Sequence, residues 1–154
     1  MTFAGTPRIR RDQRPGRAGN AVVELAIMAP LLMLLVFGAG DFARIFYAGV
    51  EISNGATAGA LYGSYSPSHA IDTAGISQAV KNDTQNLKGV TVSSTTFCEC
   101  SDGSGIACTS MCAGGVGPRF FVKVTASYSF QPLISYTGLP GPKTISKVVT
   151  MRVR

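Results

Sequence analysis

Residues 14–44 read "RPGRAGNAVVELAIMAPLLMLLVFGAGDFAR", an arginine-rich segment joined through a glycine to an apolar run that carries a glutamate, Glu24, near its start. From Leu25 to Gly40 no residue is charged. With Asn20 to Glu24 included, the run reaches the roughly 20 residues that, at about 1.5 Å of helical rise each, cross a hydrocarbon core about 30 Å thick. A cleaved secretory signal would have a shorter apolar part and end in a small-x-small site. A buried core helix would need a wrapping that the rest of a 154-residue chain does not supply. The run therefore reads as a single transmembrane helix over residues 20–40.

Charge gives the helix a direction. Residues 1–19 hold Arg8, Arg10, Arg11, Arg14 and Arg17 against Asp12 alone, whereas the rest of the chain is close to neutral, although the whole carries +6. Arginines flanking a span stay on the cytoplasmic side, so residues 1–19 form a basic cytoplasmic leader and everything past Asp41 lies outside. The same asymmetry argues against a nucleic-acid surface, which would need clustered Lys and Arg with aromatics on the folded part. The chain length leaves room for one small domain and excludes a large two-domain enzyme.

Cys98, Cys100, Cys108 and Cys112 agree with an oxidising compartment: they are even in number and packed into fifteen residues. Their C-x-C and C-x3-C pairs could bring four thiols onto zinc. Outside the cytoplasm two disulfides are the favoured reading, so no metal is expected. Connectivity is open, with Cys98 to Cys100 disfavoured because a one-residue spacer strains the bridge.

A carboxylate in hydrocarbon costs on the order of 2.5–3.5 kcal/mol at the bilayer centre and less near the interface, so Glu24 calls for a partner or a task. Gly19 lies five residues before it, with the basic leader on one side and the apolar run on the other. A glycine, four mostly apolar residues and then glutamate at the head of a membrane helix resembles the processing site of type IV prepilins. The longer string "GNAVVELAIMAPLLMLLVFGAGDFARIFY" resembles the TadE-like family of the tight-adherence (Tad) pilus system. The matching positions are Gly19, Val23, Glu24, Ala26, Pro30, Leu31, Leu32, Leu34, Leu35, Gly38, Asp41, Phe42 and Arg44, while Leu25 stands where the family usually has an aromatic.

The resemblance implies cleavage by prepilin peptidase between Gly19 and Asn20, which makes Asn20 the first mature residue. It implies that Glu24 then pairs with the new ammonium of a neighbouring subunit. Pro30 reads either as a bend or melted stretch used in leaving the bilayer for a filament or as an ordinary membrane-helix proline. Asp41, Phe42 and Arg44 would mark the outer end of the span, with Asp41 and Arg44 on one helix face and able to pair. The implied partners are other pilin or pseudopilin subunits, prepilin peptidase, the inner-membrane Tad assembly platform with its secretion ATPase, and membrane lipid. The implied location is the bacterial inner membrane, single-pass, or a surface pilus.

Beyond Asp41 the helix pattern continues over residues 41–65. Phe42, Ile45, Phe46, Gly49, Ile52, Ala56, Gly59, Ala60 and Gly63 recur at spacings of three and four. Gly55, Gly59 and Gly63 recur every four residues and would let another element approach closely, either the domain's own sheet or a neighbouring subunit. Pro67 and its serines read as a turn, followed by a surface helix over residues 70–88 whose apolar positions look too sparse for burial.

"RFFVKVTASYSFQ" alternates as a strand, with Phe120, Val122, Val124, Ala126, Tyr128 and Phe130 on one side. "KTISKVVTMRVR" does the same, and "VTVSSTTF" supplies a shorter strand. Pro132, Pro140 and Pro142 mark a loop between the last two strands. The expected fold is α+β and pilin-like: a long N-terminal transmembrane helix continuing into residues 66–154, where a short helix and a three-stranded antiparallel sheet carry the cysteine loop 98–112.

Three function classes compete: a minor pilin or pseudopilin, a plain membrane-anchored binding module that is never processed, and an enzyme. For the last, His69 is the lone histidine, and there is no Gly-rich phosphate loop, nucleophile elbow or recognisable carboxylate pair. No catalytic residue and no cofactor is expected.

Overall fold

In the computed structural model, residues 18–133 and 143–154 are described. The basic leader before residue 18, and Pro140 and Pro142 of the expected loop, lie outside the described residues. The chain divides into two compact units, Met1–Gly38 and Ala39–Arg154. In order, its elements are helix α1 (Ala18–Ser64), helix α2 (Pro67–Ile71), helix α3 (Thr73–Asp83), and strands β1 (Thr91–Glu99), β2 (Gly105–Ile106), β3 (Arg119–Phe130) and β4 (Lys143–Arg152). A long apolar N-terminal helix thus leads to a small α+β domain, as expected.

The described residues of the first unit, 18–38, belong to α1, with Pro30 inside the helix. In the second unit the sheet is antiparallel, in the order β2-β1-β3-β4. It has four strands rather than the expected three. The extra strand, β2, is only Gly105–Ile106, held against Glu99 and Cys98 of β1. Two residues carry no legible alternation; their pairing follows from the cysteine loop folding back onto β1.

The alternation of β3 appears as read. Val122, Val124, Ala126 and Phe130 are buried, Phe120 and Tyr128 pack against the core from its margin, and the hydroxyl-rich opposite side faces outward. Ile52, Ala56 and Ala60 of α1 join that core with Ile76 and Val80 of α3 and with Val153. The glycine stripe of α1 therefore serves the domain's own packing, against both α3 and β3. A Cβ added at Gly55 would lie 2.5 Å from Thr84 Cγ2, at Gly59 2.6 Å from Val80 Cγ2, and at Gly63 3.1 Å from Val122 Cγ2. Only a bare backbone lets the elements come this close.

The expected single helix over 70–88 is two helices ending at Asp83. Ser66 caps α2, with Pro67 at its first turn, and Asp72 ends α2 and caps α3 by accepting from Gly75 N–H at 2.9 Å. An aspartate that can satisfy a free helix N–H offers the backbone an alternative to continuing the first helix. Nor is α3 wholly superficial: Ile76 and Val80, four apart, are fully buried on one face.

Candidate functional site

Three places carry the candidate residues: the apolar part of α1, the region around Asp41, and the cysteine loop. In the first, apolar side chains from Val22 to Phe37 are exposed around the whole helix. A helix apolar on every side, with nothing covering it, fits an apolar solvent and not water. This is one candidate membrane span by length and composition. Gly19 and Asn20 fall in the first turn of α1. Glu24 is exposed among these apolar neighbours and has no hydrogen-bond or ion-pair partner among the described residues. Pro30 is exposed as well, and α1 continues through it.

Asp41 and Arg44 come together as their spacing predicts, with Arg44 Nη1–H donating to Asp41 Oδ1 at 3.0 Å. The Asp41 side does more than pair. Its residue is only 7% exposed, and both carboxylate oxygens accept from the Leu133 N–H, at 3.1 and 3.2 Å. Arg44 in turn lies over the Phe130 ring, 5.2 Å from its centroid. Phe42, in contrast, is 72% exposed and contributes nothing to this cluster. Leu133 had no signal in the sequence, since an apolar residue reveals nothing about where its amide donates.

About two to three turns past Asp41 on α1, a second tie holds the α3–β1 connection. Glu51 Oε1 accepts from the Asn86 N–H at 3.1 Å, and the Tyr47 hydroxyl accepts from Asn86 Nδ2 at 3.0 Å. Glu51 is buried, and its Oε2 has no hydrogen-bond partner among the described residues. Neither residue stood out in the sequence.

His69 lies in α2, just past the turn that joins it to α1. Its Nδ1 shares a hydrogen bond with Ser66 Oγ at 2.7 Å, and its ring meets Tyr62 and Tyr65 edge-on. Ser66 Oγ also accepts from the His69 N–H, so the hydroxyl is a helix cap. Nearby, Tyr62 O–H donates to Asp72 Oδ2 at 2.8 Å. The Gly75 amide, then the Tyr62 hydroxyl, hold the Asp72 carboxyl below its ordinary range, while the bond to Asp72, then burial, raise the Tyr62 phenol. The arrangement fixes a turn.

The cysteine loop contains two disulfides, Cys98–Cys108 and Cys100–Cys112, with Cα separations of 5.1 and 5.7 Å. This selects one of the pairings left open by the sequence and commits all four thiols. Among the described residues no group of three or more His, Cys, Asp or Glu is placed to hold a metal. Two left-handed glycines, Gly114 (φ 81°) and Gly115 (φ 76°), turn the chain after Cys112 back toward β3, a conformation side chains disfavour. Met111 and Val116 are exposed on the loop.

Residues 19–61 match the family model described as TadE-like protein, the family that the motif residues resemble. The matched stretch takes in Gly19, Asn20, Glu24, Pro30, Asp41, Phe42 and Arg44, and stops before the sheet. No curated protein and no solved structure matches the chain.

Proposed function

We propose that this chain is a minor pilin or pseudopilin that takes part in building a Tad-type (Flp) type IV pilus. It is a structural protein, anchored in the bacterial inner membrane by residues 20–40 with its leader inside and its disulfide-bonded domain outside. The supporting observation is the coincidence of the TadE-like match with an uncovered apolar helix that carries one carboxylate, Glu24, five residues after Gly19.

Prepilin peptidase cuts between Gly19 and Asn20, removing the basic leader and leaving an ammonium on Asn20. Glu24 then pairs with that ammonium on an adjoining subunit, so a charge that is costly in lipid gains a counter-ion in the assembly. Pro30 lacks an amide hydrogen and so relaxes the helix where the subunit leaves the bilayer. The partners are other pilin subunits and the inner-membrane assembly platform.

The test is the N-terminal sequence and intact mass of the membrane-extracted protein from cells with and without prepilin peptidase. A peptidase-dependent start at Asn20, with Glu24→Ala still inserted but no longer supporting piliation, is the expected result. A start near Met1 in both strains would overturn the reading in favour of a plain membrane-anchored extracytoplasmic module.

A further inference from the structure

We infer that the domain has a cleft for the phosphodiester headgroup of a phospholipid, with Arg44 as its principal ligand. The cleft, of about 470 Å³, is lined by Arg44, Tyr47, Asn86, Leu87, Tyr128 and Phe130, all within the second compact unit. This inference rests on the proposed membrane anchoring and goes beyond it.

Position supplies the first argument. Arg44 lies four residues past Gly40, the last residue of the uncharged run, on the same helix. At about 1.5 Å per residue that is roughly 6 Å of rise, which is headgroup depth if the run fills the hydrocarbon. The wall chemistry fits that depth: Tyr47 and Tyr128 have an apolar body and a polar tip, the kind of side chain that settles at a membrane interface. Leu87 and Phe130 give the cleft an apolar side for the glycerol and upper acyl carbons.

Charge supplies the second. Among the described residues one Arg44 donor, on Nη1, is engaged, by Asp41, and the Arg44 side chain remains 46% exposed. The fork therefore retains donors for a phosphate oxygen pair. Lys143 is the cross-strand partner of Phe130, which places it on the same face of the sheet, and Lys88 follows Leu87 in the chain. Both lysines are exposed. Of the acids nearby, Asp41 is occupied by Arg44 and Leu133, and Glu51 does not line the cleft. Arg44 in the wall of an amphipathic cleft, with exposed Lys143 on the sheet face that carries Phe130, is thus the charge that a phosphodiester would meet.

The experiment uses the full chain in detergent micelles and in nanodiscs. Native mass spectrometry follows the binding of dihexanoyl-phosphatidylglycerol, with short-chain monoacylglycerol and inorganic phosphate as comparison ligands. Arg44→Gln should weaken phosphatidylglycerol binding about tenfold and Lys143→Gln about threefold, the scale of losing a charge-assisted hydrogen bond or a looser ion pair. Arg152→Gln, on the opposite sheet face opposite Phe121, should change nothing.

Because Arg44→Gln also disturbs Asp41, the exposed Lys143 variant is the check that does not depend on that contact. Equal binding of phosphatidylglycerol by the wild type and both cleft variants would overturn the inference, as would phosphatidylglycerol binding no tighter than monoacylglycerol. Displacement of the lipid by equimolar inorganic phosphate would also overturn it, by making this a free-anion site. Failure of the chain to insert into nanodiscs would sink the membrane reading and the cleft together, whereas insertion without headgroup selectivity would remove the cleft alone.

Discussion

The carboxylate of Asp41 accepts the backbone N–H of Leu133 from 92 residues further along the chain, at 3.1 and 3.2 Å from its two oxygens. The first charged residue after the apolar run thus fastens the chain where it leaves β3. The tie is charge-assisted and its acceptor is buried, so its loss should be felt. Asp41→Ala is expected to destabilise the domain by about 1–2 kcal/mol. Asp41→Asn retains an acceptor for Leu133 and should cost less. Thermal unfolding of the detergent-solubilised chain, followed by near-UV circular dichroism of its tyrosines, measures both, and equal stability of all three proteins would refute the role assigned to Asp41.

Glycines on α1 divide into those that touch the core and those that do not. At Gly59 an added Cβ would meet Val80 Cγ2 at 2.6 Å, with Val124 and Ile76 behind it at 3.3 and 3.4 Å. These side chains are branched and buried, so they have no room to swing aside. Gly59→Ala is expected to cost about 1–3 kcal/mol through overpacking, despite the better helix propensity of alanine. At Gly49 nothing lies within 4 Å of the added atom. There Gly49→Ala should stabilise by about 0.5–1 kcal/mol. Chemical unfolding curves for the pair decide the matter, since shifts of the same sign would mean that contact is not what separates the two sites.

These glycines also illustrate what the sequence made legible. Their spacing of four announced a close approach, and the alternation of β3 announced its buried face, because both are local periodicities. The identity of the element approached by the glycines is a tertiary fact: the domain's own sheet is the favoured surface, but the spacing alone also allows a neighbouring subunit and does not reveal α3. The break at Asp72 was missed for a different reason: the apolar positions on either side continue a helical rhythm, and only the capping bond to Gly75 interrupts it. For the candidate site the local pair Asp41 and Arg44 was readable at three residues' separation, whereas Leu133 and Asn86 donate through groups whose partners lie far along the chain. β2 could not be read because its two residues depend on the loop closure around them.

Tyr62 and Asp72 predict the pH dependence of stability. The folded carboxyl of Asp72 is lowered from its ordinary value near 3.8, first by the Gly75 amide and then by Tyr62. Its contribution is therefore present above that value and is lost as pH falls through the lowered folded one. The Tyr62 phenol is raised from its ordinary value near 10.0, first by the bond to Asp72. Its contribution is complete below that value and is lost as pH rises through the raised folded one. A plateau of stability with an acid and an alkaline limb is expected. Tyr62→Phe should flatten the alkaline limb and leave part of the acid limb, which Gly75 sustains. Asp72→Asn keeps a helix cap and should flatten both. Unfolding free energies measured across the pH range test this, and an alkaline limb unchanged in Tyr62→Phe would count against it.

The two disulfides should not contribute additively. They close overlapping stretches, with separations of 10 and 12 residues, and either one alone already restricts much of the loop that the other restricts. In the chain-entropy account each bridge of this length contributes about 3 kcal/mol by itself. Replacing Cys98 and Cys108 with alanine should nevertheless do more local damage than replacing Cys100 and Cys112, because Cys98 is the β1 residue paired with Ile106. Without the Cys98–Cys108 bridge, β2 keeps its two-residue ladder and only the Cys100–Cys112 bridge, which lies outside the paired residues, and so short a ladder is marginal alone. Amide exchange at Ile106 is expected to approach that of an open loop in the Cys98/Cys108 variant and to remain slower in the Cys100/Cys112 variant. The core amides of Val122 and Val124 should stay protected in both, since the cluster that buries them contains neither bridge. Loss of protection at Val122 in either variant would mean that the loop supports the whole sheet and not only its edge.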